Sequence, residues 1–273
     1  ARRHLTWLHC MWGVGTLVGP NLISYALSGG QGWQMGYRLI SLMQLVLTAV
    51  LVFSLPLWKR PDEDGAGVNV TPEHRSLPQL LRIPGVPEVM ISFACYSAVE
   101  ATAGMWAASY CTLMRGIDAQ TAAGWASLFY LGITVGRFFS GFLTMKFNDH
   151  QMIRGGQAVI LVGLVLIFLP AGNTLLFAGL IIVGLGCAPI YPSIIHETPA
   201  NFGRNLSMSM TGVQMASAYV GTTLLPPFFG LLAQHISMGL FPWYLLTALI
   251  LMTVSSEAMH RKTAAHRAAN PGV

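Results

Sequence analysis

The sequence predicts an all-α protein, a polytopic membrane helical bundle with eight transmembrane helices. Three observations predict it. Hydrophobic residues make up 53% of the 273-residue chain, with a mean hydropathy of +0.57. Charged residues make up only 9%, against about 25% in an average soluble protein. The apolar residues fall into eight stretches, near 5–28, 37–58, 88–114, 121–145, 153–171, 174–195, 206–233 and 240–258. Each is close to the ~20 residues that carry a helix across a hydrocarbon core, and a water-soluble domain could not bury so much apolar surface on so many sides.

The formal charge of +5 would suit a nucleic-acid partner, but the positions of the charges exclude that reading. Counted by alternate loops, thirteen Lys and Arg fall on one side, from Arg2 and Arg3 to Arg267, and only Arg38 and Arg115 on the other. Such a bias marks the cytoplasmic side. It places both chain ends there and agrees with an even number of spans. The integral protein is expected in the cytoplasmic (plasma) membrane. Cys10, Cys95, Cys111 and Cys187 all lie in apolar stretches without metal-ligand spacing, as small membrane hydrophobes do. Ala1-Arg2-Arg3-His4 runs straight into the first stretch, without an initiator Met or signal-peptide pattern. The chain therefore reads as a fragment lacking an amino-terminal part.

The first span carries His9, Gly13, Asn21 and Ser24 on related faces and is interrupted at Gly19-Pro20. With the second span it forms a body over 1–58. A linker follows over 59–87, rich in charge, Gly and Pro. Within it, Leu77, Leu80, Leu81 and Ile83 beside Arg75 and Arg82 suit either a short amphipathic interfacial helix or an irregular connection. Six further spans over 88–260, joined by short loops, should pack as antiparallel neighbours, with a tail over 261–273.

The third span contains the most informative residue, Glu100. A carboxylate near mid-bilayer costs roughly 2.5–3.5 kcal/mol on insertion scales and faces a protein interior or aqueous cavity. Helical spacing puts Tyr96, Ser97, Ala103, Gly104 and Ala107 on its side. Glu100 then reads as an acceptor for a substrate hydroxyl, a proton site, or a structural carboxylate bonded to a neighbouring helix. Trp106 and Tyr110 suit either ring stacking or an interfacial anchor. On the fourth span Ser127, Tyr130, Thr134, Arg137 and Gly141 share a face, and Arg137, towards the cytoplasmic end, could snorkel or pair with a carboxylate and reads as gating or structural. The sixth is broken by Gly184, Gly186, Pro189 and Pro192. The seventh repeats the polar face with Ser207, Thr211 and Gln214, whose amide suits either a polar solute or an interhelical bond. In the eighth, Glu257 stands four residues before Arg261, the spacing of a helical ion pair. No enzyme signature emerges: His196-Glu197 begins like a zinc-protease motif but lacks the second histidine.

This arrangement resembles the last eight spans of a major facilitator superfamily carrier, with two spans of an amino-terminal half, the central loop and a six-helix carboxy-terminal half. Gly141-Phe142-Leu143-Thr144-Met145-Lys146-Phe147 resembles the family's repeated loop motif at Gly141 and Lys146 and departs from it at Met145. Gly15-x-x-x-Gly19-Pro20 resembles the antiporter core, although its flanks depart at Thr6 and Ile23-Ser24. Ile83-Pro84-Gly85-Val86-Pro87 leading to Glu100, Gly104, Trp106 and Tyr110 is similar to fucose-permease-type sugar carriers, as is Pro189-Ile190-Tyr191-Pro192. The resemblance implies a secondary active symporter that moves a small polar solute, a sugar, with a coupling proton by alternating access. It implies no cofactor, and its partners would be solute, proton and lipid bilayer, with no nucleic acid. Glu100 and Tyr191 carry over as contacts, beside Tyr96, Gln214, Asn21 and Tyr130 read from spacing. Arg137, Gly141, Lys146, Gly19 and Pro20 are the gating or structural set. The rival reading is a non-transporting sensor or scaffold on a carrier-like fold.

Overall fold

Hydrocarbon offers no partner for backbone N–H and C=O groups, so a chain this apolar satisfies them within helices. In the computed structural model every regular element among the described residues is helical. Those residues are 11, 13–15, 18, 19, 22, 23, 25, 26, 29, 30, 32–57, 73, 75–169 and 172–269. His9, Pro20, Asn21, Ser24 and linker positions 58–72 lie outside them. Contacts divide the chain into two compact units, Met11–Thr71 and one holding Pro72–Val273.

In the smaller unit, α1 (Gly32–Ser54) continues into a 3-10 turn at Leu55–Leu57 and exposes nearly all its apolar side chains. Gly36 lets it approach Ile23.

The larger unit begins with the short α2 (Leu77–Leu81). Ser76 caps it, and its backbone N–H donates to Gln79 Oε1 at 2.9 Å. Leu80 is buried while Leu77 and Leu81 are exposed, so the end of the linker takes the amphipathic-helix form. Gly85 at φ +94° starts α3 (Val86–Arg115) and Gly116 at φ +64° ends it, both conformations that glycine adopts without a Cβ clash. The Asp118 carboxylate caps α4 (Ala119–Leu143) by accepting the Thr121 N–H at 3.0 Å, and the Thr121 side chain, with that N–H second, lowers the Asp118 pKa. Asn148 and Gln151 form a capping box on α5 (Asp149–Phe168). The sixth span divides into α6 (Asn173–Cys187) and α7 (Ile190–Phe202) around Ala188-Pro189, because proline supplies no N–H to the ladder. Next, α8 (Ser207–His235) accommodates Pro226 and Pro227. Last, α9 (Phe241–Ala269) runs well past the predicted end at 258, where its final turns pair with neighbouring helices.

Six helical segments among the described residues are long and apolar enough to cross a bilayer: Gly32–Leu57, Ala119–Leu143, Asp149–Phe168, Asn173–Phe202, Ser207–His235 and Met238–Ala268. At 30 residues α3 has the length, but its polar residues keep it below the same apolarity. The first predicted span falls largely outside the described residues. The described residues thus support six of the eight predicted crossings by length and composition.

Within the larger unit, α3 packs on α8, α9 and α4, while α6 packs on α4 and α5. Glycines set these distances. A Cβ built on Gly186 would lie 2.6 Å from Ile160 N and 2.7 Å from Gly156 O, and one on Gly163 2.7 Å from Val183 N. Small residues let membrane helices approach where lipid supplies no hydrophobic drive between them.

Candidate functional site

Helical spacing on α3 stacks Tyr96 one turn from Glu100, and the Tyr96 hydroxyl donates to Glu100 Oε2. Across the α3–α4 contact, Arg137 Nη2 lies 3.6 Å from Glu100 Oε1. Arg137 is the only charged residue of α4. Its side chain is 5% exposed and that of Glu100 16%, so the carboxylate is the accessible member. Each charge compensates the other in surroundings where neither alone would be tolerated.

Aromatic rings enclose this pair. Tyr191 reaches in from α7, its ring centroid 6.3 Å from that of Tyr96 and 5.0 Å from that of Phe93, and its hydroxyl donates to Met215 Sδ at 2.8 Å. The Tyr130 hydroxyl rests against Gly104, one turn along α3 from Glu100, where any larger residue would displace it. Glu100, Tyr96, Tyr191 and Arg137 therefore come together on the inner faces of three helices, with Tyr130 adjoining.

The remaining expected site residues fall elsewhere. Gln214 is 1% exposed and accepts the Thr198 hydroxyl at 2.8 Å on Oε1, an interhelical bond between α8 and α7. Gly141 is buried near the end of α4, and Lys146 is exposed in the following turn. Among the described residues nothing lies within 4 Å of a Cβ built on Gly19. Asn21 and Pro20 lie outside the described residues. Trp106 and Tyr110 are engaged within the bundle. Trp106 Nε1 donates to Pro226 O at 3.0 Å, and Tyr110 stacks on Phe241 at 5.0 Å, so both serve contacts between helices.

A second polar cluster closes the end of the bundle where α5 begins and α7 and α9 end. The Glu257 carboxylate accepts from both Arg154 Nε and Nη2 at 2.5 Å and lies 3.3 Å from His150 Nε2. It does not pair with Arg261, because the packing of α5 on α9 brings a bidentate guanidinium closer. Asp149 Oδ2 meets His196 Nδ1 at 2.9 Å, and the His150 and His260 rings lie 3.7 Å apart. His196-Glu197 thus serves helix packing, and no group of metal-holding side chains occurs among the described residues. From the sequence Arg137 could snorkel or pair with a carboxylate, without Glu100 being named as that partner. Their standing as the one charge inside α4 and the one well inside α3 was the signal that joins them. The contacts of Asp149 and Glu257 depend on helix order and carried no comparable signal.

Three comparisons bear on this geometry. The profile described as "Major Facilitator Superfamily" matches residues 89–259. A Saccharomyces cerevisiae protein named "Bypass of stop codon protein 6" is 23% identical over 267 residues, covering 86% of this chain and 53% of its own length. The chain thus spans about half the length of the curated relative it matches. Among solved structures, the Escherichia coli fucose:proton symporter FucP aligns with a TM-score of 0.70 at 16% identity, over 96% of this chain and 68% of that one. A structure of FucP in the outward conformation aligns with a TM-score of 0.68, again at 16% identity, 96% and 68%. At that identity the likeness is one of fold.

Proposed function

The chain belongs to the Major Facilitator Superfamily and is an integral membrane protein, and from that premise we propose that it is the greater part of a secondary active transporter. It moves a small polar solute, a sugar, by alternating access, in symport with a proton. Its carboxy-terminal six-helix half is 88–260, and residues 1–58 are the last two helices of the partner half. The thirteen-to-two distribution of basic residues supports a cytoplasmic position for both ends and for the face bearing Asp149 and Glu257.

The observation that carries this reading is the Glu100 centre. A carboxylate held between a tyrosine hydroxyl and a guanidinium, with a second tyrosine close by, is an acceptor site for a hydroxylated solute. An ionised carboxylate has about four lone-pair sites, more than Tyr96 and Arg137 occupy. An aromatic lining suits a sugar ring. Two helical bodies rocking about a site near the midplane would expose it alternately to either side.

The test is uptake of radiolabelled L-fucose and a panel of aldoses and polyols into proteoliposomes, with and without an inward proton gradient. The expected result is accumulation of one of them that collapses with a protonophore. Flux insensitive to the protonophore contradicts proton coupling, and no flux of any of them contradicts the sugar reading.

A further inference from the structure

At the end of the bundle assigned above to the cytoplasm, a cavity of about 570 Å³ lies among α2, the loop from α7 to α8 and the last turns of α9. Arg75, Arg82, His266 and Arg267 line it, and Glu73 is the only carboxylate among its described lining residues. Glu73 is already committed. Its Oε1 accepts Arg75 Nε at 2.7 Å and its Oε2 accepts Asn205 Nδ2 at 3.5 Å. Its backbone N–H donates to Asn205 O at 3.1 Å, and its carbonyl accepts the Ser209 hydroxyl at 3.2 Å. The segment leading into α2 is thereby fixed against the start of α8, and the cavity has built walls.

The cations are held differently. Arg267 donates from Nε to Thr263 O at 3.3 Å and from Nη1 to Ala200 O at 3.0 Å, which fixes its guanidinium plane and leaves other donors for a ligand. No acidic partner occurs for Arg82 among the described residues. With Arg75 paired to Glu73, three guanidinium groups against one carboxylate still leave a net positive field, which a concave wall of low dielectric intensifies. Guanidinium forks match the oxygens of a phosphate two at a time. Cavities of a few hundred Å³ suit a small-molecule group.

We infer that this cavity is a binding site for a phosphate monoester group, held by Arg82, Arg75 and Arg267. The group arrives on an anionic lipid or on a soluble phosphate. Leu77 and Leu81, exposed on the same face of α2 beside the cavity, would rest on acyl chains and so favour the lipid.

The purified chain in detergent is titrated calorimetrically with dihexanoyl phosphatidic acid, inorganic phosphate and, as a zwitterionic control, dihexanoyl phosphatidylcholine. Binding of phosphatidic acid alone identifies a lipid headgroup, and binding of inorganic phosphate that competes with it identifies a soluble source. Arg82→Gln is expected to weaken that binding about tenfold, the loss for a hydrogen bond to a charged group. Arg261→Gln removes an exposed charge from α9 outside the cavity and should bind as the parent does. Both variants should match the parent's thermal unfolding, so that lost binding is not lost fold. The inference is overturned if neither phosphate probe binds, if phosphatidylcholine binds as tightly as phosphatidic acid, or if Arg82→Gln binds like the parent. An equal loss from Arg261→Gln also overturns it, since the effect would then be general surface charge.

Discussion

Burying a carboxylate and a guanidinium removes both from water at a cost of several kcal/mol each, which their attraction offsets only while both are present. Arg137→Gln should therefore leave Glu100 uncompensated and lower stability by about 3–5 kcal/mol, read from the shift in unfolding in detergent. The double variant Glu100→Gln with Arg137→Gln should recover most of that loss, because no buried charge remains. If the two single losses simply add, the pair is not coupled. The hydroxyl of Tyr96 was expected beside Glu100 from its spacing of four, and it is there. The guanidinium of Arg137 comes from another helix, and spacing along one chain does not encode which helices touch. For the same reason Gln214 read equally well as a solute contact or an interhelical bond, and its bond to Thr198 across the α7–α8 contact had no signal in the sequence.

Apolarity alone placed the fifth stretch at 153, four residues after the helix begins at Asp149, because the capping groups that end helices are polar. Asp118, Asn148 and Gly116 mark their termini with groups whose chemistry is local. The continuation of α9 to Ala269 was less legible, since the polar residues after 258 resemble a solvated tail until Glu88 and Ala200 are seen to receive Lys262 and Arg267. Helix contacts rest on small residues, and two neighbouring glycines separate that effect from helix propensity. Gly156→Val would force a side chain into Gly186 and Ile190 at the α5–α6 contact, whereas Gly155 faces open space. The expected loss for Gly156→Val is about 1–3 kcal/mol from overpacking, with Gly155→Val near neutral or slightly stabilising. Thermal unfolding of both variants in the same detergent checks this, and equal shifts would contradict it.

For the molecule as a whole, composition and the spacing of apolar stretches specified a membrane helical bundle, because both follow from the bilayer acting on every residue alike. Orientation across the membrane rests on the basic residues. Twenty-five residues of α4 at 1.5 Å each span about 37 Å, enough to put its ends on opposite sides of a hydrocarbon core. In intact cells, a membrane-impermeant maleimide should label Gln120→Cys and not Met145→Cys, each read against the parent chain, whose four native cysteines set the background. The reverse pattern would invert the proposed orientation. If the Glu100 carboxylate holds the solute, its loss must show in transport: proteoliposome uptake of the solute the parent accumulates is compared with that of Glu100→Gln at equal reconstituted protein. Amide for carboxylate keeps the shape and removes the charged acceptor, so uptake per folded, incorporated protein should fall at least about tenfold, beyond any loss of stability from leaving Arg137 without its partner. Uptake at the parent rate would show that the solute does not depend on the Glu100 carboxylate.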